Sequence, residues 1–174
     1  MRVIVVLLGP LLVVPAGAQV HQRQAAATQS GSPKALGQFE DWVAATYQEA
    51  GHTVCYAFAQ AKNSVPAIPK RGEVVLTVTE RPASRDWVAI SAGFAYPKGA
   101  AVTLQVDTTG LDFYSTNTSA FARDGKATVA ALQKGSQALA RSPGPREGQV
   151  VVDTFSLRGF SAAYAAISKA CPVR

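Results

Sequence analysis

Two cysteines, Cys55 and Cys171, carry the most reactive side chains in the sequence. A cysteine nucleophile needs a neighbouring base, and the nearest histidine is His52. Two strand residues separated by three positions point to opposite faces, so His52 would point away from Cys55. A metal site would need further ligands at a suitable spacing, and the sequence supplies none. We therefore predict neither a catalytic nor a metal-binding cysteine, and the even number of cysteines favours a Cys55–Cys171 disulfide.

Paired carboxylates are a second candidate for chemistry, because two positioned acids suffice for glycoside hydrolysis. Glu40 and Asp41 are adjacent, which places them on opposite faces of a predicted strand. Asp107, Asp112 and Asp153 fall at strand ends or on polar faces, and we interpret them as solvated surface acids. The sequence thus predicts that the protein is not an enzyme and has no catalytic residue, no cofactor and no metal. A hydrolase with an unrecognised site is the least favoured alternative.

The N-terminus has the pattern of an export signal. Arg2 precedes an apolar run over residues 3–14, which is shorter than the about 20 residues that a membrane-spanning helix needs. The small residues 16–18 (AGA) then provide a signal-peptidase site. We predict that residues 1–18 are a signal peptide cleaved after Ala18. The mature chain is then periplasmic or secreted and contains no integral membrane segment.

The next segment, residues 19–38, is polar and small and contains few side chains able to bury apolar surface. Such a segment cannot offset the entropy lost on ordering, so we predict a flexible linker followed by a single domain over residues 39–174. The formal net charge is +6, but the basic residues are scattered. No basic stripe with interleaved aromatic residues is visible, so we predict no nucleic-acid partner.

Most of the domain has the apolar–polar alternation of β-strands with one buried face. The predicted strands cover residues 39–47, 53–59, 74–79, 87–94, 102–107, 111–115 and 150–155. A turn over residues 108–110 joins two of them as a hairpin. Short strands separated by turns favour a mainly β fold, either an antiparallel sandwich or a barrel-like domain. Aromatic residues are numerous on these strands, and we expect most to fill the core and some to form a binding face.

Two helices interrupt the strands. Residues 127–134 have a helix-forming composition and predict a short helix at the rim of the sheet. Near the C-terminus, apolar residues recur at spacings of three and four, which predicts a helix with one stripe packed on the sheet. Ser156 is the expected N-cap and Pro172 the expected stop. The stripe consists of Leu157, Phe160, Tyr164, Ile167 and Cys171, so Cys171 is expected to face the strand that carries Cys55.

Six motifs follow one another along the domain: FEDW at 39–42, VCYAFAQ at 54–60, VTERP at 78–82, GFAYPKG at 93–99, LQKGS at 132–136 and DTFSLRGFSAAYAAI at 153–167. Their order and spacing resemble the invasion associated locus B family of exported alphaproteobacterial proteins. The sequence departs from the family pattern at residues 119–121 and at Asp86 and Trp87. We expect these two places to be loops that select a partner.

The resemblance implies an exported protein with a β-rich fold, a C-terminal helix and no catalytic residues or cofactor. Our leading hypothesis is a non-enzymatic protein that binds an envelope component or a host-surface partner, which the sequence does not name. The alternative is a periplasmic module that binds a small molecule or a glycan in a pocket between the sheet and the C-terminal helix.

Overall fold

A computed structural model describes residues 31–172 of the chain, which form eleven strands and two helices. The strands are β1 (Lys34–Phe39), β2 (Trp42–Glu49), β3 (His52–Gln60), β4 (Asn63–Val65), β5 (Val75–Arg81), β6 (Ser84–Ser91), β7 (Ala101–Val106), β8 (Thr109–Thr116), β9 (Ser119–Ala122), β10 (Gln137–Pro143) and β11 (Val150–Ser156). The helices are α1 (Gly125–Leu132) and α2 (Phe160–Ala170). Neither of these helices has the length and hydrophobicity that crossing a membrane requires.

All eleven strands belong to one antiparallel sheet, in the order β1-β2-β3-β5-β6-β9-β8-β7-β10-β11-β4. The sheet curls so that side chains from both of its halves meet in one core. The indole N–H of Trp42 on β2 donates to the carbonyl of Ser156 at the end of β11, at 3.0 Å, and joins the two halves. Strands β1 and β4 lie at opposite edges, so the sheet is not closed. The mainly β, sandwich-like fold predicted from the sequence is confirmed.

The alternation along the strands separates an inner face from an outer face, as the sequence pattern predicts. On β5, for example, Leu76 and Val78 are fully buried, whereas Thr77 between them is partly exposed. The largest fully buried side chains are Trp42, Phe155 and Phe160. The inner face therefore forms a single apolar core, and the outer face is free for another role.

The N-terminal boundary differs from the prediction. Residues 34–38 were expected to be flexible linker, but Lys34–Phe39 is strand β1 and pairs with β2. An edge strand of this kind is ordered by backbone hydrogen bonds and needs no apolar alternation, which is why composition missed it. A turn at Glu40 and Asp41, with φ of 50° at Glu40, divides the single strand predicted over 39–47. The predicted signal peptide and most of the linker lie outside the described residues.

The C-terminal helix is confirmed, but it begins later than predicted. Ser156 is the last residue of β11 rather than the N-cap, and Leu157 is buried ahead of the helix. The residue before the helix is Gly159, whose φ of 87° favours glycine. A Cβ atom at this position would also collide with the carbonyl of Phe39. The glycine in the sequence SLRGF is therefore required by this close approach.

The short helix predicted over 127–134 is also confirmed, two residues earlier than expected. The carboxylate of Asp124 accepts a hydrogen bond from the backbone N–H of Ala127 at 2.9 Å and caps α1. Buried Val129 and Leu132 attach this helix to the core.

Candidate functional site

The outer side of the sheet has three rows of side chains that run across its strands in register. We call this surface the aromatic face. It extends over β2, β3, β5, β6, β9, β8 and β7, which spans about 29 Å at the usual strand spacing. Its rows are Ala45, Tyr56, Thr79 and Trp87; then Val43, Phe58, Thr77, Ala89, Phe121, Tyr114 and Ala101; and then Gln60, Val75, Ser91, Ser119 and Thr116. None of these side chains is charged.

Two groups of rings stand on the aromatic face, separated by small side chains. Tyr56 and Phe58 on β3 stack with their ring centroids 6.0 Å apart. On the other side, Phe121 on β9 lies 5.6 Å from both Trp87 and Tyr114, measured between ring centroids. Trp87 is 43% exposed and Tyr114 is 39% exposed. The outer face of an antiparallel sheet is usually polar and solvated, so a cluster of rings that includes exposed Trp87 and Tyr114 indicates a contact surface.

Charged residues border the three rows, and the first row continues past Trp87 with Arg123 and Asp112, whose backbones are hydrogen-bonded across the end of β9 and β8. At one margin, Arg81 and Glu49 form an ion pair at 2.8 Å and both contact the hydroxyl of Tyr47. At the other margin, the guanidinium carbon of Arg123 lies 5.8 Å from the centroid of the Tyr114 ring. The interior of the face therefore offers aromatic, hydroxyl and amide groups.

The two departures from the family pattern meet on this surface. Trp87 lies on β6 and residues 119–121 lie on β9, so the expectation that these segments are loops is wrong. The two strands are neighbours, and they bring Trp87 into contact with Phe121. The sequence therefore located part of the surface correctly and assigned it the wrong secondary structure.

A buried ion pair lies at one end of the core. Asp153 on β11 forms two hydrogen bonds with the guanidinium of Arg71, both at 2.7 Å, and Ser64 donates a third at 2.7 Å. Arg71 also donates to the carbonyl of Ala92 and lies 4.9 Å from the ring centroid of Phe94. The side chains of Arg71 and Asp153 are 6% and 3% exposed. The interpretation of Asp153 as a solvated surface acid is therefore wrong.

A second buried carboxylate, Glu80 on β5, lies beneath the C-terminal end of α2. Its side chain has no exposed surface and forms a 2.6 Å ion pair with the Nε atom of Arg85. Burial raises the pKa of Glu80 to about 7, although the neighbouring Arg85 opposes that shift. Arg85 also donates to the carbonyl of Cys171, and Tyr164 donates to Asp86 at 2.6 Å. These contacts fasten α2 to the hairpin formed by β5 and β6.

The predicted disulfide is present and strengthens the same attachment. Cys55 on β3 and Cys171 after α2 are bonded, with a sequence separation of 116. Cys55 lies directly opposite Glu80 in the register of β3 and β5. His52, the only base near Cys55 in sequence, is exposed, whereas Cys55 is fully buried. The disulfide, Glu80 and Arg85 thus form one structural cluster.

The remaining predicted acids are dispersed. Asp107 and Asp112 are exposed, as expected, and Glu40 and Asp41 form ion pairs near the surface with Arg158 and Lys62. Within residues 31–172, no group of His, Cys, Asp or Glu side chains is arranged to hold a metal ion.

The space between the sheet and α2 is filled by core side chains. The rings of Trp42 and Phe160 are fully buried there with their centroids 4.7 Å apart, and Ile167 is also fully buried. These buried side chains occupy the place where the alternative hypothesis put a ligand pocket.

Sequence reasoning missed both buried carboxylates, although a signal for them was present. Glu80 has the same strand parity as the core residues Leu76 and Val78, and Asp153 has the parity of Val151 and Phe155. A carboxylate at a core position of a strand indicates a buried ion pair. The partner arginines carry no comparable signal.

Together these features define an open antiparallel β domain with a disulfide-anchored C-terminal helix and an aromatic outer face. The chain belongs to the invasion associated locus B (IalB) protein family, whose sequence profile matches residues 42–168. Its fold is similar to the crystal structure of invasion associated protein B from Bartonella henselae, with a TM-score of 0.55 and 20% sequence identity. That similarity covers 77% of this chain and 95% of the other. No curated protein matches the chain.

Proposed function

We propose that this chain is an exported, non-enzymatic protein that binds a component of the cell envelope or of a host surface. The observation that carries the proposal is the aromatic face. It combines 43% exposure of Trp87 and 39% exposure of Tyr114 with three rows of uncharged side chains. Exposed apolar patches of this kind in protein domains mark sites of interaction.

The environment of the buried acids supports binding rather than catalysis. Asp153 is held by Arg71 and Ser64, and Glu80 has no exposed surface through which a substrate could reach it. Each of the two acids also lies in contact with an arginine side chain. The contacts of Asp153 and Glu80 are therefore explained by their role in holding the fold together.

Export is supported by the disulfide. Cross-links of this kind persist in oxidising compartments such as the periplasm and the extracellular space. The proposal therefore retains the sequence prediction of a signal peptide cleaved after Ala18. If the predicted cleavage is correct, N-terminal sequencing of protein recovered from a periplasmic or culture fraction will find Gln19 as the first residue.

The binding surface is tested by photocrosslinking in cells that naturally make the protein. A benzophenone amino acid replaces Tyr114 on the aromatic face or, in the matched control, Val150, which is 59% exposed on the distant strand β11. We expect an adduct of higher mass on irradiation of the Tyr114 variant and none from the Val150 variant. Equal adducts from both positions, or none from either, would contradict the proposal.

A further inference from the structure

We infer that the ligand of the aromatic face is an uncharged glycan chain. This inference rests on the proposed binding function and specifies the chemistry of the ligand. It follows from three properties of the surface: its neutrality, its exposed rings and the hydroxyl groups between them.

Neutrality argues against an anionic ligand. Phosphate and carboxylate groups are bound by Arg and Lys side chains, and the three rows of the aromatic face contain neither. Arg123, beside Tyr114, lies opposite the acidic residue Asp112 on the neighbouring strand, so the two charges balance. Arg81, at one margin, is already paired with Glu49, and Arg71 and Arg85 are engaged by buried acids elsewhere. The positive charges at this surface are therefore balanced by neighbouring acids, and a ligand without net charge is its electrostatic complement.

The rings match the apolar faces of sugars. A pyranose ring presents C–H groups on its faces, and these carry a slight positive charge that is attracted to the negative face of an aromatic ring. Phe58 and Phe121 belong to the same row, with Thr77 and Ala89 between them. Three strand steps place the two rings about 14 Å apart, which suits a ligand with several ring units rather than one.

The hydroxyl groups argue against a second copy of this chain as the occupant. Thr77 lies in the middle row, and Ser91, Ser119 and Thr116 form part of the adjacent row. Two such faces packed together would bury these hydroxyls, which costs free energy unless every one of them finds a partner. A glycan carries a hydroxyl on most ring carbons and can both donate to and accept from them.

The two tryptophans make the inference measurable. Trp42 is fully buried and Trp87 is 43% exposed, so a ligand on the aromatic face will change the fluorescence of Trp87 and leave that of Trp42 unchanged. The probes are the neutral hexasaccharides of cellulose, chitin, starch and mannan, titrated into the protein that spans residues 19–174. We expect a saturable change with at least one of them. The acidic control is oligogalacturonate, which should produce none.

Variants identify the surface that responds. Tyr114→Thr and Phe121→Thr each remove one ring and keep Trp87 as the reporter, and Val150→Thr is the matched control away from the face. The affinity for the hexasaccharide should fall about tenfold or more in the Tyr114→Thr and Phe121→Thr variants, because the removal of one stacking ring costs that much for nucleobases. The affinity should stay unchanged in the Val150→Thr variant. Circular dichroism and the melting temperature confirm that each variant is folded.

Several results would overturn the inference. They are no fluorescence change with any neutral hexasaccharide, an equal change with oligogalacturonate, or a change in Trp87 that follows protein concentration alone and accompanies dimerisation. A specific crosslink at Tyr114 without glycan binding would leave the proposed function standing and remove only the glycan. If neither the crosslinking nor the glycan titration gives the expected result, both the proposed function and the glycan inference are wrong.

Discussion

Arg71, through its ion pair with Asp153, organises a loop that has no regular structure. Arg71 lies between β4 and β5, and its guanidinium reaches β11, the end of β6 and the ring of Phe94. The pair is buried and its hydrogen bonds are complete, so its removal would affect all of these contacts. Breaking a buried pair costs far more than an exposed pair contributes, because the remaining charge stays desolvated.

We predict that Asp153→Asn destabilises the protein by roughly 3 to 5 kcal/mol, because it leaves the Arg71 guanidinium buried without a counter-charge. Urea denaturation at neutral pH measures the change in the free energy of unfolding. Asp112→Asn, at an exposed position, is the control and should change it by less than about 0.5 kcal/mol. A similar small change for Asp153→Asn would show that the pair contributes little.

Glu80 predicts an unusual dependence of stability on pH. Its pKa is raised from 4.5 to about 7 by burial, in a site that also contains Arg85 and Asp86. The folded protein therefore binds this proton more tightly than the unfolded chain does. The stability contributed by protonated Glu80 is complete below pH 4.5 and is lost as the pH rises through about 7.

Comparison of the wild type with Glu80→Gln isolates this effect. Glutamine keeps the size of the side chain but cannot ionise, so the wild type should lose stability relative to the variant between pH 4.5 and about 7. Melting temperatures across that range measure the difference. Glu49→Gln, at an exposed ion pair, should leave the profile nearly unchanged in this range. Parallel profiles for the wild type and Glu80→Gln would contradict the raised pKa.

At the scale of elements, α2 is attached to the sheet by three kinds of contact. Trp42 and Phe160 pack in the core, Arg85 binds the carbonyl of Cys171, which is favourable at a helix C-terminus, and the disulfide joins the same end to β3. The packing contacts do not depend on the disulfide. Its removal should therefore lower stability without changing the fold.

We predict that Cys55→Ala/Cys171→Ala reduces the free energy of unfolding by about 4 to 5 kcal/mol, the loop-closure value for a separation of 116 residues. Denaturation of the variant, and of the wild type with and without reductant, measures the loss. The reduced wild type should match the variant. If reduction leaves the denaturation midpoint unchanged, the disulfide does not stabilise the domain.

The sequence predicted most elements whose pattern reflects the core, although it missed β10, whose inward residues Ala138, Ala140 and Ser142 are small. It also failed where order comes from other sources. The alternation in β5, β7 and β11 and the apolar stripe of α2 were visible because apolar burial imposes them. The edge strand β1 depends on backbone pairing with the adjacent strand β2, and the short strand β4 on pairing with the distant strand β11. The start of α2 depends on the close approach of Gly159 to Phe39, which no local pattern reveals.

At the scale of the whole molecule, the candidate site was only partly predictable. Aromatic residues on strands were expected in part to form a binding face, but their assembly across seven strands depends on the strand order. Strands β6 and β9 are neighbours in the sheet although β7 and β8 separate them in the chain. The rows of the aromatic face therefore emerge only from the topology. The family motifs contain the buried acids Glu80 and Asp153, and the motif at 54–60 contains Tyr56 and Phe58 of the aromatic face.

The cross-link between Cys55 and Cys171 also makes most of the domain a covalent ring. Backbone and disulfide together enclose every element from β4 to α2, including the loops around Arg71 and the long turn between β10 and β11. A protease that cuts any one of these loops opens the ring but releases no fragment. A nicked molecule can therefore keep all of its strands together, and with them the aromatic face, until a reductant separates the pieces.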